Sequence, residues 1–152
     1  MVWAYVFEAA TTETDASRDA DAHRVEKDLG GAFRAAGHAA AAGLRDKGLD
    51  RTVAMTSNPI PAPMVLDMMI MEYPGHGWDL SRATGQNCPF DPEVVTDALE
   101  AAERMIQPQY RGHEKGQFRP IVATAYGASV VDRYVTFLGR DPAWRPGFET
   151  QS

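Results

Sequence analysis

The spacing of apolar residues changes several times along this chain, and each change predicts an element. Val2 to Phe7 (VWAYVF) is aromatic or branched at nearly every position, which predicts a strand. The polar stretch from Glu8 to Asp15 predicts a loop. From about Ala16 the period becomes helical, with Val25, Leu29, Phe33, Ala36, Ala40 and Leu44 recurring at intervals of three and four. Asp15 or Ser17 caps that helix in this reading, and Lys47-Gly48 ends it. Gly30-Gly31, Gly37 and Gly43 interrupt the stripe, which points to close packing on a sheet with a kink at Gly30-Gly31. Thr52 to Asn58 predicts a second strand and Met64 to Tyr73 (MVLDMMIMEY) a third. The proline-rich link between them is too short for a helical crossover, so the two form an antiparallel hairpin.

Pro74 to Phe90 (PGHGWDLSRATGQNCPF) shows no clear period and reads as a long loop. Asp91-Pro92 then opens a helix whose apolar face is Val94, Val95, Ala98, Leu99, Ala102, Met105 and Ile106, stopped by Pro108. Gln109 to Arg119 is a locally basic loop, and Pro120 to Tyr126 predicts a fourth strand. Ser129 caps a last short helix that ends at Gly139. The order strand, helix, strand, strand, helix, strand is the ferredoxin-like βαββαβ plan, an α+β fold. It predicts an antiparallel sheet with helices on one face, one added C-terminal helix, a single domain over residues 1–139 and a tail over 140–152. By analogy with that plan, two such sheets pair into a dimeric α/β barrel.

Composition narrows the partners. A formal charge of −6 and a pI near 5.1 disfavour nucleic acid and anionic membrane surfaces, which the net field would repel. Cys88 is the only cysteine, so no internal disulfide marks an oxidising compartment. Met1 to Ala10 has no basic stretch before its apolar run, and that run is too short for a signal peptide. The longest later run, Met64 to Met71, is far short of a membrane span. A cytoplasmic protein is expected, with no membrane and no nucleic-acid partner.

No motif of established chemistry is present: no phosphate-binding glycine loop, nucleophile elbow or zinc-binding helix. Ser129 follows a glycine at a predicted strand-to-helix junction, but capping explains it better than nucleophilic attack. The loop from Tyr73 to Cys88 gathers His76, Trp78, Asp79, Arg82 and Asn87, residue types suited to proton transfer, stacking and anion binding. His76 and Asp79 are the candidate proton carriers, Arg82 an anion contact and Trp78 a wall. His113, beside Arg111, Lys115 and Arg119, reads as part of a solvated basic face. His76, Cys88 and His113 have no metal-ligand spacing, so neither a metal nor a cofactor is expected. Trp3, Tyr5 and Phe7 alternate along the predicted first strand and share one sheet face, either as core or as the lining of a site.

The expectation is a small-molecule-handling protein, a cofactor-free enzyme or binding protein. Its site would lie between the open sheet face and the loop over residues 73–88. The rival expectation is a structural or interaction subunit of a larger assembly. In either case the partner is a second copy of the chain or another subunit, because an open sheet needs a cover.

Overall fold

The computed structural model describes residues 2–13, 25, 27–55, 59–112 and 118–147. It overturns the ferredoxin-like expectation, because the described residues are mostly helical and hold a single sheet of two two-residue strands. The elements run α1 (Val2–Thr12), α2 (Leu29–Lys47), β1 (Thr52–Val53), β2 (Ile60–Pro61), α3 (Ala62–Thr84), α4 (Pro92–Met105) and α5 (Val130–Phe137). A 3-10 turn, Pro108–Tyr110, follows α4. With no four-stranded sheet, the open sheet face and the barrel pairing built on it fall away. The chain groups into two compact units, Met1–Leu66 and Asp67–Ser152.

In the first unit, the predicted first strand is the helix α1. A short run that is apolar at every position carries no period to separate strand from helix. The alanines that follow it are strong helix formers, and they extend the run beyond a strand's usual length. Ala4, Phe7, Ala10 and Thr11 are buried at helical spacing, so the alternation of Trp3, Tyr5 and Phe7 has no structural meaning. The predicted α2 stripe holds at Ala36, Ala40 and Leu44, which are buried, while Leu29 and Phe33 are exposed. Its start over residues 16–24 lies outside the described residues. Gly30-Gly31 produces no mid-helix kink, because the pair sits in the first turn. There Asp28, at φ 49° and ψ 54°, accepts a 2.9 Å hydrogen bond from the Gly31 amide as N-cap.

Gly43 is where α1 and α2 come together. A Cβ there would lie 2.7 Å from the Thr11 carbonyl oxygen. The end of α1 is closed by cations of the same unit. Lys47 Nζ donates to the Thr12 carbonyl at 3.1 Å and Arg51 Nη2 to the Thr11 carbonyl at 3.0 Å. Glu13, at φ 64°, pairs with both, 2.9 Å from Lys47 and 3.3 Å from Arg51. The predicted second strand shrinks to Thr52–Val53, paired antiparallel with Ile60–Pro61, and its residues 56–58 lie outside the described residues.

The predicted third strand and much of the predicted loop after it are one helix, α3. Leu, Met and Glu are helix formers, and the run Met64 to Tyr73 lacks the β-branched density a buried strand needs. Pro74 sits inside the helix, where its ring removes a hydrogen bond to the Ile70 carbonyl. The second unit packs that stretch closely. The α5 hydroxyl of Tyr134 donates to the neighbouring Met71 carbonyl. Gly75 brings α3 against Tyr134 and Leu138, and at Gly77 a Cβ would lie 2.3 Å from the Phe90 ring. Pro74, Gly75 and Gly77 therefore pack within a helix and do not form a turn, while His76 among them stays exposed.

The apolar face predicted for α4 holds except at Val94, which is 43% exposed. Val95, Ala98, Leu99, Ala102 and Ile106 are buried with Met71, Trp78, Tyr134, Val135 and Leu138 in one core. Arg104 ties α4 to α3 through a two-pronged contact with Asp67 at 2.8 and 3.3 Å. Ser129 is an N-cap as expected, accepting from the Asp132 amide at 3.1 Å. The predicted fourth strand is irregular, and its Val122 amide donates to the Thr136 carbonyl at 3.0 Å. Among the described residues no helix is long and apolar enough to cross a membrane.

Candidate functional site

The two turns of α3 from Glu72 to Asp79 carry the densest ionic cluster among the described residues of the second unit. Helical spacing puts Glu72, His76 and Asp79 on one face. Glu72 Oε2 lies 2.9 Å from His76 Nε2, and Asp79 Oδ2 lies 3.5 Å from His76 Nδ1. Asp79 is also gripped by Arg140, just after α5, whose Nε and Nη2 donate to its two oxygens at 2.6 and 2.7 Å. That fork-on-fork pairing is the strongest geometry available to the two groups. The helix thus supplies the anions, and the segment after α5 supplies the fixed cation.

Charge follows from this geometry. Hydrogen bonds to Asp79 and Glu72 hold the proton on His76 and lift it to about 9, against a smaller opposing effect of burial. Burial is the largest single influence on Asp79 and pushes its carboxyl up. The hydrogen bonds and charges of His76 and Arg140 together outweigh it and bring Asp79 down to about 2. Burial likewise works against the Arg140 charge, but the paired Asp79 holds it on. Burial pushes the Tyr134 phenol up, so Tyr134 is a neutral donor here. At neutral pH the turn therefore presents an imidazolium and not a free base.

The other predicted residues go elsewhere. At 3.6 residues per turn, Trp78 points roughly 200° around the helix from His76. It is 3% exposed and belongs to the core. Arg82, one turn on, lies over the Trp78 ring with its guanidinium carbon 5.3 Å from the centroid. His76 and Asp79 are thus brought together on one face and Trp78 and Arg82 on another. Tyr5 and Phe7 lie in α1 of the first unit, Phe7 fully buried and Tyr5 partly so. Trp3 is also in α1, and its side-chain placement lies outside what is described. His113 and Lys115 lie outside the described residues. Glu72 and Arg140 are what sequence reading missed. Glu72 was visible as the residue one helical turn before His76, once the segment is read as helix. Arg140, distant in sequence, gave no such signal.

Among the described residues no three His, Cys, Asp or Glu side chains converge to hold a metal ion. Glu72 and Asp79 approach opposite nitrogens of one imidazole rather than a common point.

Two measurable consequences follow. Because the proton on His76 is favoured in the fold, its stabilisation is complete below the ordinary value of 6.5 and fades as pH rises through about 9. With 61% of its side-chain surface exposed, His76 should contribute less than about 1 kcal/mol. Melts of wild type and His76→Gln should differ at pH 6 and converge above pH 9, and a gap that widens with pH would contradict the assignment. Asp79→Ala should cost more, about 1–2 kcal/mol, because it strips a mostly buried Arg140 of both acceptors. Chemical denaturation at neutral pH measures both variants.

Comparison with known proteins adds kinship without function. No family model matches the chain, and no solved structure matches it. The chain is similar to uncharacterized proteins of two Mycobacterium tuberculosis strains, each 30% identical over 93 residues. The match takes in 61% of this chain and 50% of each relative, so the chain spans about half the length of the curated relatives it matches.

Proposed function

We propose that this chain handles a small organic acid at the face of α3 that carries His76. The observation behind this reading is an imidazolium whose ring is fixed by two carboxylates while most of its surface stays open. A cation held in one orientation and open to solvent can donate a hydrogen bond or a proton to an arriving anion. The Nδ1 contact with Asp79 is longer, at 3.5 Å, than the 2.9 Å Nε2 contact with Glu72, so that N–H can be shared with an incoming oxygen. Asp79 orients the ring, His76 carries the proton, and Arg140 keeps Asp79 in place. Arg82 is an anion contact on the adjoining face. The cytoplasmic setting belongs to this reading and is supported by the single cysteine.

The test is a melting-shift panel of small mono- and dicarboxylic acids, with the His76 ring followed by NMR. One acid should raise the melting temperature of wild type and shift the His76 resonances, and His76→Gln should lose the response while keeping its fold. A full panel without effect would overturn the proposal.

A second reading, an interaction subunit that pairs with its own copy, draws support from the exposed apolar side chains of Leu80, Ile121 and Tyr126. Light scattering after gel filtration should then give a dimer mass. A monomer at micromolar concentration would remove this reading.

A further inference from the structure

Within the second unit, α4, residues 121–128 and α5 line an open surface cleft of about 510 Å³. It is formed by residues other than those of the His76 cluster. Leu99, Ile121 and Phe137 give it apolar walls. Glu103 and Arg133 also line it, and among the described residues neither side chain makes an ion pair or a hydrogen bond. The cleft therefore offers one anion and one cation, each without a protein partner, beside an apolar surface.

A third polar group has its direction fixed by its neighbours. Thr124 and Thr136 hydroxyls lie 2.7 Å apart, and Thr136 donates its one proton to the Asp132 carbonyl at 2.7 Å. Thr124 must then be the donor between the two, which leaves its oxygen with acceptor capacity alone. The cleft thus holds two acceptors, Glu103 and Thr124, and one charged donor, Arg133.

We propose that this cleft binds a free amino acid with an apolar side chain. Its carboxylate meets Arg133, its ammonium group meets Glu103 and Thr124, and its side chain lies among Leu99, Ile121 and Phe137. An apolar molecule without charges would leave both ionic groups unused. An acid or amine alone would satisfy only one of them.

L-Phenylalanine is the probe, followed by calorimetry and by amide shifts on the full chain. L-Phenylalaninamide lacks the carboxylate and N-acetyl-L-phenylalanine lacks the ammonium group. Each should bind about fivefold or more weakly than the parent. Arg133→Gln should weaken L-phenylalanine and leave the amide unchanged, while Glu103→Gln should weaken it and leave the N-acetyl compound unchanged. Both positions are solvent-facing, so both variants should fold as wild type does. His76→Gln should bind L-phenylalanine normally, which separates this site from the α3 face. Absence of binding up to about 10 mM, shifts located away from residues 99–103 and 121–137, or equal binding of all three compounds would overturn the proposal.

Discussion

Trp78→Ala should lower the stability of the protein by about 3–5 kcal/mol, the range for removing a large aromatic from a packed core. The ring is 3% exposed and packs with the α4 and α5 residues of the second unit. Truncation would open a cavity there and leave the Arg82 guanidinium without the face it covers. Trp78→Phe is the informative control. The indole Nε1–H has no acceptor within the protein among the described residues, so the phenylalanine variant loses volume and no hydrogen bond. It should cost no more than about 1–2 kcal/mol. Guanidinium unfolding followed by far-UV circular dichroism gives both numbers. A loss below about 1 kcal/mol for the alanine variant would make Trp78 a surface wall after all.

Gly43→Val should cost about 3 kcal/mol, the upper range for overpacking, and the loss should come from the α1–α2 contact. What a Cβ at position 43 would strike is main chain, the Thr11 carbonyl oxygen at 2.7 Å and its carbon at 2.9 Å. A rigid helix end cannot yield as a side-chain tip would, so the helices must separate. Gly37→Val is the matched control, on the same helix with nothing within 4 Å of the built Cβ. It should be close to neutral, because glycine and valine both lower helix propensity. Equal losses for the two would trace the effect to propensity and not to the crossing.

The parts of the fold that could be read in the sequence were those with a long, clean period. The buried face of α4, the Ser129 cap and the end of α2 at Lys47-Gly48 followed from spacing and capping chemistry. The strands failed for two physical reasons. VWAYVF and MVLDMMIMEY are apolar at consecutive positions, where period cannot choose between helix and strand. Pro74, Gly75 and Gly77 then looked like loop punctuation, and in the structure all three lie within α3, with Gly75 against Tyr134 and Leu138 and Gly77 against Phe90. Tertiary contact with Tyr134, Leu138 and Phe90 decides that segment, and nothing local announces it. The candidate site was legible to the extent that His76 and Asp79 lie within one turn of each other. Glu72 needed the correct helix, and Arg140 needed the tertiary fold.

The Asp79–Arg140 fork makes a further demand on how this sequence can drift. Two residues 61 positions apart share one pair of hydrogen bonds. A neutral substitution at position 79 strands Arg140, and one at position 140 leaves Asp79 with His76 alone, so the two should vary together among descendants of this chain. Arg140→Asp alone would set two carboxylates face to face beside Glu72, and Asp79→Arg alone would crowd cations around His76. The double exchange should recover part of either single loss, though His76 would then face an arginine and its proton would be held less tightly. Position 140 lies at the margin of the last helix, where change is usually cheap. Here it carries a constraint set by position 79.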